Sequence, residues 1–263
     1  MAGERDSEAP AIRLLTLNAH QGFSPLRPRK RLSRIRDALR ASRADLVFLQ
    51  EIGAEHGEDI PQQQYELLAD EVWPQHAYGR NVVATGGHMG NALLSKYPII
   101  RWQNVDVSVD GVEPRGLLHC VLDVPGAAQP LHAVCVHLGL DEAQRRWQVE
   151  RLLALAADGI PGDAPLVIAG DFNDWRERAH GQMLGDRSLA EVHATAGKRP
   201  ARTFPAWWPV LRLDRIYVRN LHHRPIEMPR RPWSKLSDHA PLAAEIRLAP
   251  NACATVPTEP GRA

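Results

Sequence analysis

The stretch Leu166-Val167-Ile168-Ala169-Gly170-Asp171-Phe172-Asn173-Asp174 sets the pattern on which the rest of the chain is read. Its branched apolar run favours a strand, because such side chains pack well on a pleated surface. Gly170 ends the run, and a carboxylate, an aromatic ring, a carboxamide and a second carboxylate follow. Glycine, aspartate and asparagine build turns routinely, so a turn is the plain reading of GDFND. The chemical reading is that the strand delivers polar groups at its end. Asp171 can take a proton or orient water, and Asn173 can donate to an anionic oxygen while accepting elsewhere.

The same arrangement recurs in both directions along the chain. Ile12–Leu17 and Asp45–Leu49 read as strands, as do Asn91–Ser95, Leu117–Val124, Leu131–His137, Asp214–Val218 and Leu242–Leu248. Between the first two, Leu32, Ile35, Leu39 and Ser42 recur at helical spacing in an Arg-rich segment. A second helix is expected from an Asp141 N-cap, burying Val149, Leu152, Leu153 and Ala156 and ending at the proline-bearing 159–165 stretch. Many strands and few helices imply packed mixed sheets with helices outside. Polar residues sit where the strands end: Asn18 and His20, Gln50 and Glu51, His137, then Asp171 and Asn173, with Asp238 and His239 just before the last strand. Side chains converging at strand ends suit a site better than they suit packing.

Composition narrows the class without naming a function. The 263 residues are 44% hydrophobic and 24% charged, which excludes wholesale disorder. Lysine plus arginine is 32 against 31 for aspartate plus glutamate, so a polyanion-coating protein of the histone type is excluded. Cys120, Cys135 and Cys253 are too few and too scattered for a disulfide framework or a thiolate zinc site. Met1–Pro10 is polar and unlike a signal peptide, and no run of about 18 apolar residues exists to span a bilayer. A cytoplasmic monomer is expected. The 1–10 segment is expected to be disordered and 250–263 a flexible tail, leaving one domain over 11–249.

Three further residues sharpen the chemistry. Asp214, in RLDRIYV, is a carboxylate in an otherwise apolar strand and needs a partner. His239, in SDHAPL, is a natural one and would complete a base–orienter pair. Glu51 ends a hydrophobic strand, where a carboxylate is costly unless solvated, paired with a neighbouring arginine, or metal-bound. Glu51, Asn18 and Asp238 offer oxygen donors suited to a hard cation, Mg2+ or Mn2+, rather than zinc. Arg115 suits a phosphate, although a salt bridge with Glu113 explains it as well, and Asn91 either lines the pocket or simply enters a strand. His20 reads as a solvated loop histidine.

Together the strings LTLNAHQG, FLQE, GNALLSKYPI, VHLGL, AGDFNDW, LDRIYV and SDHAPL resemble, in order, the endonuclease/exonuclease/phosphatase superfamily, over about residues 12–248. The resemblance implies an α/β (α+β) fold, a four-layered sandwich of two packed mixed β-sheets flanked by helices. It implies a phosphoesterase that uses a divalent cation and in-line attack of water. Carried over residue by residue, Glu51 and Asn18 would lie on the metal side with Asp238, and Asp171 would position water. Asn173 and His137 would contact phosphate, and Asp214 would orient His239. The expected reaction is phosphodiester cleavage on nucleic-acid or phospholipid-type substrates, with a phosphomonoesterase as the runner-up and a decayed phosphate-binding module as a further alternative.

Two features bear on the substrate. Residues 26–43 carry eight basic side chains against Asp37 alone, and 210–235 carry seven against Asp214 and Glu227. The first cluster reads best as a helix's solvated face. Trp207 and Trp208, between Pro205 and Pro209, could stack bases, enter a lipid interface or pack on the core. Peripheral contact with the inner membrane face through these two residues is among the expectations.

Overall fold

The computed structural model describes residues 11–20, 28–55, 63–69, 72–84, 87–194 and 199–250. The expected N-terminal segment 1–10 and the tail beyond Pro250 lie outside them. In chain order the first half contains β1 (Ala11–Asn18), α1 (Pro28–Ser42), β2 (Leu46–Glu55), α2 (Gln64–Ala69), β3 (Gln75–Ala84), β4 (Gly87–Ser95) and β5 (Ile99–Asp106). Then come β6 (Gly116–Leu122), β7 (Leu131–His137), α3 (Glu142–Asp158), β8 (Leu166–Asp171), α4 (Arg178–Met183) and β9 (Ala190–Glu191). The chain closes with β10 (Asp214–Arg219), β11 (His222–Ile226), a 3-10 turn at Trp233–Lys235 and β12 (Leu242–Arg247). None of these helices is long and apolar enough to cross a membrane.

The strands form two mixed six-stranded sheets, ordered β11-β12-β1-β2-β4-β3 and β5-β6-β7-β8-β10-β9. Each sheet has one central parallel pair, β1 with β2 and β7 with β8. A parallel pair needs a long crossover, and here the crossovers carry α1 and α3. Asp141 caps α3 as expected, accepting from the Gln144 backbone N–H at 3.0 Å. Its Val149, Leu152 and Ala156 are buried, and Leu153 packs at the margin.

Period-two alternation divides the apolar residues among three layers. In β1, Ile12 and Leu14 face the second sheet, whereas Leu15 and Leu17 face α1. In β8, Val167 and Ala169 face inward, and Leu166 and Ile168 lie under α3. The order helices, sheet, sheet, helices is the four-layered sandwich expected. Each fully buried leucine in it contributes about 1.5–3 kcal/mol relative to exposure.

The inward series of the central strands change from apolar to polar at one common end. Ile12 and Leu14 lead to Thr16 and Asn18, Leu46 and Phe48 to Gln50, Ala133 and Cys135 to His137, Val167 and Ala169 to Asp171. The antiparallel strands do the same in reverse, with Val218 and Ile216 leading to Asp214, and Leu93 to Asn91. The sandwich therefore has a dry end and a polar end. Gln50 bridges them, donating to Thr16 Oγ1 and to Cys135 Sγ, both at 3.2 Å.

Candidate active site

The polar end gathers the residues that the motifs singled out. Asp171 lies at the centre, almost wholly buried. Its Oδ1 accepts from the Asn173 backbone N–H at 2.8 Å and its Oδ2 from Asn18 Nδ2 at 3.0 Å. Gly170 is what lets it sit there. With φ near +150, a Cβ at this position would fall 1.9 Å from the Val136 carbonyl oxygen of the paired strand β7. Asn173 follows in the left-handed region at φ 50, which asparagine tolerates. Its Nδ2 donates to Leu138 O at 2.8 Å, so one amide hydrogen ties this turn to the loop after β7 and the other remains for a ligand. Asp174, the second acid of GDFND, accepts from the backbone N–H groups of Arg178 and His180 and so braces the start of α4.

His239 and Asp214 form the pair expected of them. His239 Nδ1 lies 2.9 Å from Asp214 Oδ2 and donates to it, since a carboxylate can only accept. That fixes the ring orientation and turns Nε2 toward Asp171 Oδ2, 3.8 Å away. Burial alone would lower the His239 pKa, but Asp214 and Asp171 outweigh it and raise it to about 10. The loop before β10 braces both groups. Thr203 Oγ1 accepts from the Asp214 backbone N–H, and the Phe204 ring lies 5.0 Å from the His239 ring. Ser237, which sequence reading passed over, donates to Asn18 O at 2.6 Å and accepts from His239 N–H at 3.1 Å. It thereby ties the end of β1 to the histidine loop. Its only sequence signal is its place beside Asp238 and His239.

Glu51 reaches the site through a bulge. Strict alternation would turn Glu51 away once Gln50 points inward. Instead the β2–β4 register shifts between Leu49 and Ile52, and Glu51 has φ 54, so both side chains face the polar end. Its Oε1 accepts from Asn18 Nδ2 at 3.0 Å. Burial raises its pKa above the usual carboxylate range. Among the described residues no arginine or lysine pairs with it. Its charged-type neighbours are His20 Nδ1 at 3.7 Å and His137 Nε2 at 3.8 Å. His137 supplies no charge near neutral pH, because burial and then Arg115 push its pKa down to about 3.

A mostly buried carboxylate without a strong cationic partner, beside further oxygen donors, fits a hard divalent cation. Glu51 and Asn18 would hold it, with Asp238 and His20 facing the same space. One ligand-type atom each from Asp171, Asp214 and His239 also lies within 4.8 Å of the others. There, however, the Asp214–His239 hydrogen bond already occupies groups an ion would need. His20 is exposed on the loop after β1, as a solvated loop histidine would be, yet it stands beside two acids. Its Nδ1 lies 3.5 Å from Asp238 Oδ2 as well as 3.7 Å from Glu51 Oε2, between the two acids. An Asx turn holds it there, with its backbone N–H donating to Asn18 Oδ1 at 2.9 Å.

Arg115 and Asn91 sit deeper than a rim position would suggest. Arg115 is buried and pairs with Glu113 at 2.9 Å, yet its charge still acts on His137. Asn91 is wholly buried and donates to Gly116 O at 3.0 Å and Cys135 O at 3.4 Å, stapling β4 to the second sheet. Its Oδ1 has no hydrogen-bond partner among the described residues. Asn91 thus lies between the two sheets.

Comparison with known proteins agrees with this geometry. Residues 15–239 match the family described as Endonuclease/Exonuclease/phosphatase. The protein YbhP of Escherichia coli K12 is 48% identical over 246 residues, which cover 90% of this chain and 97% of that one. Among solved structures, the endonuclease/exonuclease/phosphatase from Bacteroides vulgatus superposes with a TM-score of 0.72 at 19% identity, covering 91% of this chain and 100% of its own. The human Nocturnin catalytic domain, solved with a bound sulfate anion, gives 0.71 at 17% identity, covering 91% and 94%. At such identities these structures speak for the shared fold alone. The family match spans most of the chain and includes the strands and loops that build the polar end, and the protein accordingly belongs to the endonuclease/exonuclease/phosphatase family of phosphoesterases.

Proposed function

We propose that the protein is a divalent-cation-dependent phosphodiesterase that hydrolyses nucleic-acid or phospholipid-type diesters by in-line attack of water on phosphorus. The observation that carries this reading is a hydrogen-bonded His239–Asp214 pair 3.8 Å from Asp171, with an under-neutralised Glu51 joined to Asp171 through the shared Asn18 amide. Mg2+ or Mn2+, held by Glu51 and Asn18 with Asp238 alongside, would offset charge that develops on the phosphoryl oxygens.

The remaining work falls to side chains of this chain. Asp171, anchored by Asn18 and the Asn173 backbone, is fixed to position the attacking water. The proton is taken within the Asp171–His239–Asp214 set, where Asp214 holds the imidazole in one orientation. In this reading the second amide hydrogen of Asn173 and the neutral imidazole of His137 donate to phosphoryl oxygens. Arg115 acts behind His137, since its own guanidinium is engaged by Glu113.

The test is hydrolysis of a chromogenic phosphodiester and its matching monoester, with Mg2+, Mn2+ or excess chelator. Diester cleavage that requires the cation is expected, and faster monoester cleavage would move the reading to a phosphatase. Asp171→Ala and His239→Ala should each lose at least ~100-fold in rate. Near-normal turnover in either variant would remove that residue from the chemistry.

A further inference from the structure

Five large apolar side chains stand in solvent on loops that leave the polar end of the sandwich. Trp207 and Trp208 are 63% and 64% exposed, and Val210 beside them is exposed as well. Leu140 on the loop after β7 is 64% exposed, and Trp175 directly follows the GDFND turn. These loops adjoin one another. Glu177, just past Trp175, lies 3.8 Å from Arg212 on the tryptophan loop, and Arg199 also reaches it at 4.0 Å.

The tryptophan loop is built rather than slack. Phe204 bridges to Leu211, Val210 N–H donates to Phe204 O at 2.8 Å, and Trp208 N–H to Pro205 O at 2.9 Å. Ala206 N–H donates to Asp238 O at 2.6 Å, which fastens the loop to the catalytic histidine's own loop. Within it Phe204 and Ala206 turn inward, while both indoles turn out. Packing on the core does not account for them.

Basic side chains lie on the flanking segments, with the acid Glu227 among them. Arg202, Arg230, Arg231 and Lys235 are exposed and make no ion pair among the described residues. Arg202 and Arg230 also line an open cavity of about 420 Å³ behind Ala206 and Pro209, whose wall includes Met228, Trp233 and Leu242.

We propose that this end of the molecule docks on an anionic phospholipid surface. Trp207 and Trp208, with Val210, Leu140 and Trp175, enter the headgroup and upper acyl region, where indole rings are favoured. The four unpaired cations engage headgroup phosphates, each contributing to attraction that salt screens. Nucleic acid is the weaker partner for this face. Leu140 and Val210 have no π face on which a base could stack, but they gain from an acyl layer. With these loops on the membrane, the polar end that carries Asp171 and His239 is the end turned toward it. Only the corollary that the hydrolysed diester is a phospholipid rests on the phosphodiesterase reading.

The experiment is cosedimentation with sucrose-loaded vesicles of phosphatidylcholine alone or with about a third phosphatidylglycerol, at low and high salt. The wild type should partition onto the anionic vesicles and be released by salt. Trp207→Ser/Trp208→Ser should partition at least ~10-fold less. Hydrolysis of the soluble chromogenic diester should be unchanged, which shows that fold and cleft are intact. Failure to bind anionic vesicles, equal binding to both compositions, or binding indifferent to the double substitution would overturn the proposal. So would affinity for a single-stranded oligonucleotide that falls with the same substitutions while vesicles are ignored. Vesicle binding without hydrolysis of any diester would count against the phosphodiesterase reading and leave the docking surface standing.

Discussion

At the scale of single residues, backbone geometry decides how the acids are aimed. Gly170 can be replaced only by pushing against the Val136 carbonyl of the neighbouring strand, and an L side chain is already strained at its φ. Gly170→Ala should therefore lower stability by at least ~2 kcal/mol, the scale of strain at a forbidden backbone position. It should also lower turnover by about 100-fold, because Asp171 is the next residue and a 1 Å misplacement has that effect. Thermal melting and steady-state kinetics measure both, and a variant with wild-type melting would mean that β7 and β8 separate freely. His20 makes a different demand. Its ring nitrogen stands between Glu51 and Asp238, so His20→Ala should weaken Mn2+ binding by at least ~10-fold, in the range for groups that support a metal site. Calorimetric titration with Mn2+ gives this directly, and an unchanged dissociation constant would detach His20 from the cation.

At the scale of elements, helix α3 does more than cover its sheet. Gln148 is wholly buried, accepts from Gly139 N–H at 2.8 Å and donates to Val107 O at 3.1 Å. Arg145 Nη1 donates to Gly139 O at 3.0 Å. The helix thus holds the loop whose Leu138 carbonyl receives Asn173. Gln148→Ala should cost about 1–3 kcal/mol, since it leaves a buried N–H and a buried carbonyl without partners. Urea unfolding would measure this, and a loss below about 0.5 kcal/mol would show that water replaces the amide. Elements of this buried kind were legible from residue pattern: the central strands, α1 and capped α3 all carry apolar periodicity. The strands that reading missed, β3, β5, β9 and β11, are the four edges of the two sheets. Edge strands face water and need no apolar run, as Ile99–Asp106, largely exposed, and Pro225 within β11 illustrate. The site was legible in the same measure. Asp171, Asp214 and His239 follow from strand ends and motifs, whereas the inward turn of Glu51 depends on a bulge, and the place of His20 on a tertiary meeting of that bulge with two loops, and neither leaves a mark in residue spacing.

At the scale of the whole molecule, the site and a second histidine pair occupy opposite ends of the same strand. His137 ends β7 at the polar end, and His132, its second residue, lies five residues earlier on the outer face of the sheet. There its Nδ1 lies 2.9 Å from His119 Nε2, with the rings stacked at 5.1 Å. Burial, then the partner histidine and Arg101, push the His119 pKa down to about 4, and burial with Arg101 and Arg219 lowers that of His132. Both are therefore neutral in the fold at pH values where the unfolded chain, with histidines near 6.5, already binds protons. The sign follows: their contribution to stability is complete above about pH 6.5 and is lost as pH falls toward 4. His137 at the polar end is likewise held neutral by burial and responds to acid, so the histidine pair is isolated by difference. His119→Gln/His132→Gln should melt lower than the wild type at pH 7.5, having lost a packed ring pair, but its melting temperature should fall less between pH 7 and 5. The two proteins converging as pH drops is the expected pattern of calorimetric scans. Parallel curves would place the acid sensitivity of this fold at the polar end instead, at His137, which burial also holds neutral.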